Sequence, residues 1–310
     1  MFIEGETFDD LLRKGLCAIL EHGLPIKPRK KEATEIIGVS LKLHNPCARF
    51  SRTENRAVLF SALGETLWYL SGSDDFEMIE HYIPRYREHC ETPPDVAHSE
   101  AAYGPRLKRQ MNFVKEKIKK RDTRNAVISI YREEDHNNKY EYPCTCTLQF
   151  FPRAGNLHMV AQMRSNDVYK GMAHDIFAFT FLQELLARSA GLEMGSYMHQ
   201  VGSFHLYDRD RAKAERYIEG GLADTIPMVP MPPEDPECGL EWLLSAAAAL
   251  RKGDNVPSSS GIAPYWQDLA NLLRIKSLRD ARNKAGLLAI RDAMHSDVFR
   301  TFIQDEIEKA

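Results

Sequence analysis

Cysteine is scarce in this 310-residue chain, and the six present (Cys17, Cys47, Cys90, Cys144, Cys146 and Cys238) show neither Cys-x-x-Cys nor Cys/His spacing. A disulfide framework and a zinc site are not indicated, no metal is expected, and the thiols read as free. Charge of one sign is not in excess either: 41 Lys and Arg stand against 44 Asp and Glu, a formal net charge of -3. Such a chain has no global basic field, so a nucleic-acid partner is not expected and any bound anion must be held by local clusters. Long apolar runs are missing, as is the positive leader of a secretory signal, since MFIEGETFDDLLRKG opens acidic. The expectation is a cytoplasmic enzyme without a membrane partner. Repeats and low-complexity tracts are also lacking. What is present, 43% hydrophobic and 27% charged residues, suits a globular chain with a sizeable core.

Periodicity places the elements. Phe8, Leu11, Leu12, Leu16, Ile19 and Leu20 form one stripe, which predicts a helix capped by Thr7 and ending near Gly23. The basic loop IKPRKK leads to a strand from Glu35 to Leu43, with Ile37, Val39, Leu41 and Leu43 on one face. Helices are expected over 57–70 and 107–120, strands at NAVISIY, CTCTLQFF and LHMVAQM, and a long helix from Asp175 to Ala190. GSYMHQVGSFHLY reads as a strand interrupted at Gly202, where a bulge or a close backbone approach is expected. Past Ala223, four prolines in MVPMPPEDPECG exclude a regular element and suggest a surface connector. Helices follow at 241–250, 265–273 and 278–310, so the economical reading is one domain over 1–310, with a core of about 1–223 and a connector and tail over 224–310.

The stretch from Tyr142 to Tyr207 carries the chemistry. Cys144 follows Pro143 at the start of a strand, five residues before Gln149; it reads either as a nucleophile or as an inert buried thiol. Cys146, two residues on, falls on the same face by period two. PCTCTLQFF, RSNDVYKG, HDIFAFTFLQELLARSAGLEMG and HLY together resemble, in order and spacing, the thymidylate synthases and their pyrimidine hydroxymethylase relatives. LGETLWYLSG, AAYG and Arg124 before AVIS extend the likeness.

The resemblance implies an α/β (α+β) fold, a mixed β-sheet flanked by helices with a helical C-terminal extension. It implies a pyrimidine nucleoside monophosphate as substrate and 5,10-methylenetetrahydrofolate as co-substrate. Cys144 would add to C6 of the base and so activate C5, whereas Cys146 is off the family register. Arg164 and Ser165 match a phosphate-binding pair, forked guanidinium donors being suited to phosphate. Arg124 matches an arginine that crosses to the partner's phosphate site, which implies a homodimer, although the next position, usually arginine, is Asn125. Arg29 is the candidate for a mobile phosphate-binding arginine, with Lys27 and Lys30 as competitors and a merely solvated loop as the alternative. Glu65, among apolar neighbours, matches a proton-handling glutamate, and Tyr103 a tyrosine that assists removal of the C5 proton. His205 and Tyr207, one face of a strand, match the pair that binds the sugar 3'-hydroxyl; Asp167 and Gly171 match positions facing the folate, or else form a turn.

Departures from a synthase point to a different base and a different last step. The family's asparagine that reads uracil is Asp175; an ionised carboxylate only accepts, which suits the amino group of cytosine once the base or Asp175 carries a proton. Alternatively, Asp175 is an N-terminal helix residue favourable to the dipole. The family's histidine after the nucleophile is Thr145, its folate-packing tryptophan has no counterpart, and DEIEKA replaces its apolar C-terminal closure. Losing these exposes the reactive carbon to water. The expected activity is therefore cytidylate 5-hydroxymethylation, with CMP favoured over dCMP because the tail is unlike a compact phage enzyme. A thymidylate or uridylate synthase acting on dUMP or UMP is the alternative, and a catalytically silent nucleotide-binding paralogue is the third.

Overall fold

A computed structural model describes residues 1–28, 31–51, 58–120, 122–221, 226–234 and 236–309. The chain opens with β1 (Phe2–Gly5), α1 (Phe8–His22), β2 (Leu24–Ile26) and β3 (Ala33–Leu43). Next come α2 (Leu59–Ser71), α3 (Phe76–Tyr82), α4 (Tyr86–His89) and α5 (Tyr103–Ile118). β4 (Ala126–Ser129), β5 (Thr145–Arg153) and β6 (Asn156–Asp167) lead to α6 (Gly171–Ser189), β7 (Glu193–Tyr207) and α7 (Asp208–Glu219). The tail holds α8 (Pro236–Lys252), α9 (Pro264–Asp280), α10 (Lys284–Ala293) and α11 (Asp297–Lys309). No helix among the described residues is long and apolar enough to cross a membrane.

The strands form one mixed sheet in the order β1-β3-β7-β6-β5-β4, with β2 paired to β3. β1 with β3 and β6 with β7 run parallel, and the other pairs are antiparallel. Alternation assigns the two faces. Leu41, Leu148, Phe150, Ala161, Tyr197 and Val201 are buried beneath helices. On the other face, Thr147, Gln149, Val160, Gln162, Met198 and Gln200 are half-buried or exposed.

α1 begins as its sequence predicts: Thr7 Oγ1 accepts from the Asp10 amide at 3.1 Å while Asp10 accepts from the Thr7 amide at 2.9 Å, a reciprocal cap. α6 is apolar nearly all round because both sides are covered. Ile176, Phe179, Leu182 and Leu186 join the core under the sheet; Phe177, Phe181 and Leu185 join a second cluster built with α2 and the tail, including Trp266, Leu269, Phe299 and Ile303.

Several expectations change in three dimensions. Ile37 is 81% exposed although Val39, Leu41 and Leu43 are buried, because the backbone at Gly38 takes a positive φ of 73° and the core ends there. β7 runs through Gly202 unbroken, but the close approach is real: a Cβ there would sit 2.8 Å from the Arg164 carbonyl. α6 starts at Gly171, so Asp175 stands in its second turn and is not an N-terminal dipole residue. The proline-rich segment is anchored: Met228 and Met231 are each 1% exposed, their amides donating to the Cys47 carbonyl (3.0 Å) and to Glu184 Oε1 (2.7 Å). The tail expected over 278–310 as one helix is the end of α9 followed by α10 and α11, with breaks before Lys284 and before Asp297.

Candidate active site

The ends of β5, β6 and β7 and the starts of α5, α6 and α7 surround a cleft of about 1100 Å³, closed on the far side by α2 and α4. Cys144, Glu65, Tyr103, Asp175, Arg164, Ser165, Asp167, Gly171, His205 and Tyr207 all line it. Arg124 does not. Arg124 is exposed at the edge of the sheet, its carbonyl accepting from Gln149 Nε2 at 2.9 Å, and Arg29 lies outside the described residues.

Cys144 is half-buried just before β5. Arg164 fixes its approach: Nε donates to the Pro143 carbonyl (2.8 Å), Nη2 to the Tyr142 carbonyl (3.0 Å), and the same Nη2 is 3.7 Å from Cys144 Sγ. Burial pushes the Cys144 thiol above its ordinary value, opposed by Arg164 and reinforced by Asp175 and Cys146. Period two does not put Cys146 beside it. Thr145 pairs with Met163 but Thr147 with Gln162, so Cys146 is the extra residue of a bulge, and it is not part of the cleft lining.

Across the cleft stand two carboxyl groups. Glu65 is 6% exposed and accepts from the Tyr69 hydroxyl at 2.9 Å; burial raises its pKa, opposed by His174, Tyr69 and Tyr86. Burial also lifts Asp175 well above the carboxylate range, and the nearby Glu65 charge lifts it further. Both influences favour the protonated form of Asp175. Tyr69 stacks on Tyr103 at 4.9 Å, and Tyr103, at the first turn of α5, accepts from the Thr145 amide at 3.1 Å. Burial, with Cys144 and Asp175 nearby, keeps the Tyr103 phenol protonated, so its hydrogen remains free to donate into the cleft.

Asp175 is the end of a directed chain that periodicity did not reveal. Asn166 Nδ2 donates to Asp175 Oδ2 at 2.7 Å, and Asn166 Oδ1 lies 2.9 Å from His199 Nε2. His199 Nδ1 lies 2.7 Å from the Tyr197 hydroxyl. Burial holds His199 neutral, its pKa lowered to about 3. With a single ring hydrogen, Nε2 donates to Asn166 and Nδ1 accepts from Tyr197. Every hydrogen then points toward Asp175, which leaves Oδ1 to carry the acid proton. Gly171 leaves room for this contact: a Cβ there would be 3.1 Å from Asn166 Nδ2, a tight approach. His199 sits on β7 among buried core positions, so only its polarity among Tyr197 and Val201 could have marked it.

At the other end, His205 Nδ1 is 3.2 Å from the Ser203 carbonyl and 3.5 Å from Ser165 Oγ. A carbonyl only accepts, so in the neutral ring Nδ1 carries the hydrogen and Nε2 is an acceptor. His205 and Tyr207 meet edge to face at 4.9 Å, and the Arg209 guanidinium lies over Tyr207 at 5.0 Å. Asp167 does form a turn, accepting from the Tyr169 amide at 2.9 Å, while also lining the cleft.

A family model described as thymidylate synthase matches residues 8–231. The chain belongs to the thymidylate synthase family. The match ends where the connector is anchored at Met231, so α8 to α11 lie outside it. The deoxyuridylate hydroxymethyltransferase of Bacillus phage SP01 is 30% identical over 213 residues, covering 62% of this chain. The match spans 55% of that relative, little more than half its length. Thymidylate synthase family enzymes use methylenetetrahydrofolate; Ile83, Tyr86, Asp167 and Gly171 line the same cleft as Cys144. No cluster of metal-ligating side chains occurs among the described residues.

Proposed function

We propose that this chain hydroxymethylates C5 of a cytidine monophosphate, and the observation that carries the reading is the buried Asp175 side chain, held in one orientation by Asn166 in surroundings that favour its protonated form. Attack of the Cys144 thiolate on C6 pushes electrons onto the ring, and the base must take a proton or a strong hydrogen bond as they arrive. Asp175 Oδ1 gives its proton to N3 of cytosine, and the carboxylate left behind accepts from the 4-amino group. Arg164 favours the thiolate. Tyr103 assists removal of the C5 proton, and Glu65 exchanges protons with water at the base. Ser165 and Arg164 bind the 5'-phosphate; His205 and Tyr207 take the sugar 3'-hydroxyl. Methylenetetrahydrofolate, when bound beside Asp167 and Gly171, supplies the one-carbon unit. Water completes the product in a cleft that, among the described residues, none beyond Arg216 lines; Ile303 and Ile307 of α11 are buried in the cluster that the tail shares with α2 and α6. CMP is preferred over dCMP on the strength of the additional tail helices alone.

A second reading is favoured by the phage relative, named for deoxyuridylate. A neutral carboxyl can donate to O4 of uracil and accept from N3–H, as an amide would. We also take the working unit to be a homodimer of single-domain chains. The uncovered sheet face is a broad, half-apolar surface, and Arg124 at its edge is free to reach a partner's phosphate site, where Asn125 supplies no charge. Incubation with CMP, dCMP, UMP or dUMP plus methylenetetrahydrofolate, followed by mass spectrometry, tests the reading. A hydroxymethyl gain on cytidylate is expected; sustained dihydrofolate formation with dUMP would overturn it.

A further inference from the structure

His174 has no role in the reading above, yet it lines the cleft from α6 and is wired to α2. Its Nδ1 lies 3.2 Å from the Lys170 carbonyl, and its Nε2 lies 2.9 Å from Ser61 Oγ. Ser61 Oγ is in turn 3.0 Å from the Val58 carbonyl. Counting hydrogens limits the possibilities. Lys170 O only accepts, so Nδ1 carries a hydrogen. Ser61 has one hydroxyl hydrogen and two acceptors competing for it, Val58 O and a bare Nε2. If the ring is an imidazolium, the competition ends: Nε2 donates to Ser61, Ser61 donates to Val58 O, and every contact is filled. If it is neutral, Ser61 turns to Nε2, and among the described residues Val58 O keeps only the Ala62 amide at 2.9 Å. A proton on His174 therefore gains a contact and loses none.

That proton is placed beside the catalytic carboxyl. Ser61 and Glu65 are four residues apart on α2 and share one face, so the ring bonded to Ser61 stands next to Glu65. Among the described residues, the other ionisable groups around it have partners. Tyr69 and Tyr86 are bound to Glu65, Asp175 on the same helix is held by Asn166, and the Lys170 ammonium is turned to Asp210 at 3.3 Å. Burial raises Glu65, and His174 is the largest influence acting the other way.

We propose that His174 is a positioning residue whose imidazolium, held by the Lys170 carbonyl and the Ser61–Val58 pair, keeps Glu65 ionised so that Glu65 accepts the proton of the water that completes the product. In that step the water oxygen bonds to the exocyclic carbon on C5 and its proton passes to Glu65. The exocyclic double-bond pair becomes C5=C6 as the C6–S bond breaks, and Cys144 leaves as thiolate. The water step rests on the proposed hydroxymethylase reading; the charge coupling does not.

The test is the titration of the Glu65 carboxyl in nucleotide-free protein, followed by carbon-13 NMR, alongside the pH profile of kcat for product formation. Removing a positive charge raises a neighbouring carboxyl's pKa, so in His174→Gln both the Glu65 titration and the acid limb of kcat should move to higher pH by about one unit. Ser61→Ala, which keeps the ring but removes its acceptor, should shift both the same way by less. His174→Lys, which keeps the charge, should restore the limb. An unmoved Glu65 titration in His174→Gln overturns the proposal whatever happens to kcat, because a structural role alone predicts lower activity at an unchanged limb. A wild-type protein that makes no hydroxymethyl product while the titration still moves refutes the water step and supports the coupling.

Discussion

Near the start of α6, Asp175 meets an amide donor and a second carboxyl, Glu65; near its end, Glu184 meets the guanidinium of Arg49 at 2.5 Å, both side chains fully buried. The two carboxyl groups are nine residues apart on one helix and are both out of water, yet they are opposite in use. Glu184 also accepts the Met231 amide, so one ion pair joins the segment before α2, α6 and the connector. Among the described residues no cation partners Asp175, and burial favours its protonated form. A buried carboxyl given a counter-charge becomes structure; one given only neutral donors and a like neighbour becomes an acid.

The contrast can be broken at either end. The largest effect is expected at the group that Asp175 serves: Cys144→Ser should lower release of tritium from C5-labelled nucleotide by about 10³-fold or more, whereas Cys146→Ser, in the bulge, should keep most activity. Equal losses would put the wrong thiol in the cleft. Next comes Glu184→Gln, which strands the Arg49 charge and should cost about 3–5 kcal/mol in urea unfolding with a lowered Tm. Asp175→Asn should leave stability within about 1 kcal/mol but swing the kcat/KM ratio toward uracil by about 10²-fold. If it destabilises as much as Glu184→Gln, the two carboxyls are not different in kind.

The pH dependence sharpens the same point. Asp175 and Glu65 have raised folded values, so their contribution to stability is full below the ordinary carboxyl range and is lost as pH rises through those values. Stability measured from about pH 4 to pH 8 should therefore fall less steeply in Asp175→Asn than in the wild type. The smallest effect is expected for Gly171→Ala, whose new Cβ presses on Asn166: about 1 kcal/mol in stability and a several-fold drop in activity. Unchanged activity there would separate the Asn166–Asp175 contact from catalysis.

Much of the site was legible because its residues lie in short, ordered segments whose spacing survives folding. The RSND of RSNDVYKG and HLY sit at the ends of β6 and β7, which pair in parallel, so Asp167 and His205 end up in register. His199 and His174 were not legible. One looks like a core position and the other like a surface helix position until Asn166 and Ser61, distant in sequence, supply their partners. Period two failed at Cys146 and at Ile37 for local reasons, a bulge and a positive φ, that alternation cannot register.

Capping and periodicity placed the main helices and strands, because each depends on neighbours within a few residues, while the mixed sheet and the roles of the chemical groups were implied by the resemblance to the thymidylate synthases. Only the tertiary structure decided what those groups are. Whether Asp175 is charged, whether Cys144 or Cys146 faces the cleft, and whether the proline-rich segment is buried all depend on desolvation and on partners from other elements, and a carboxyl's proton is set by what surrounds it in space.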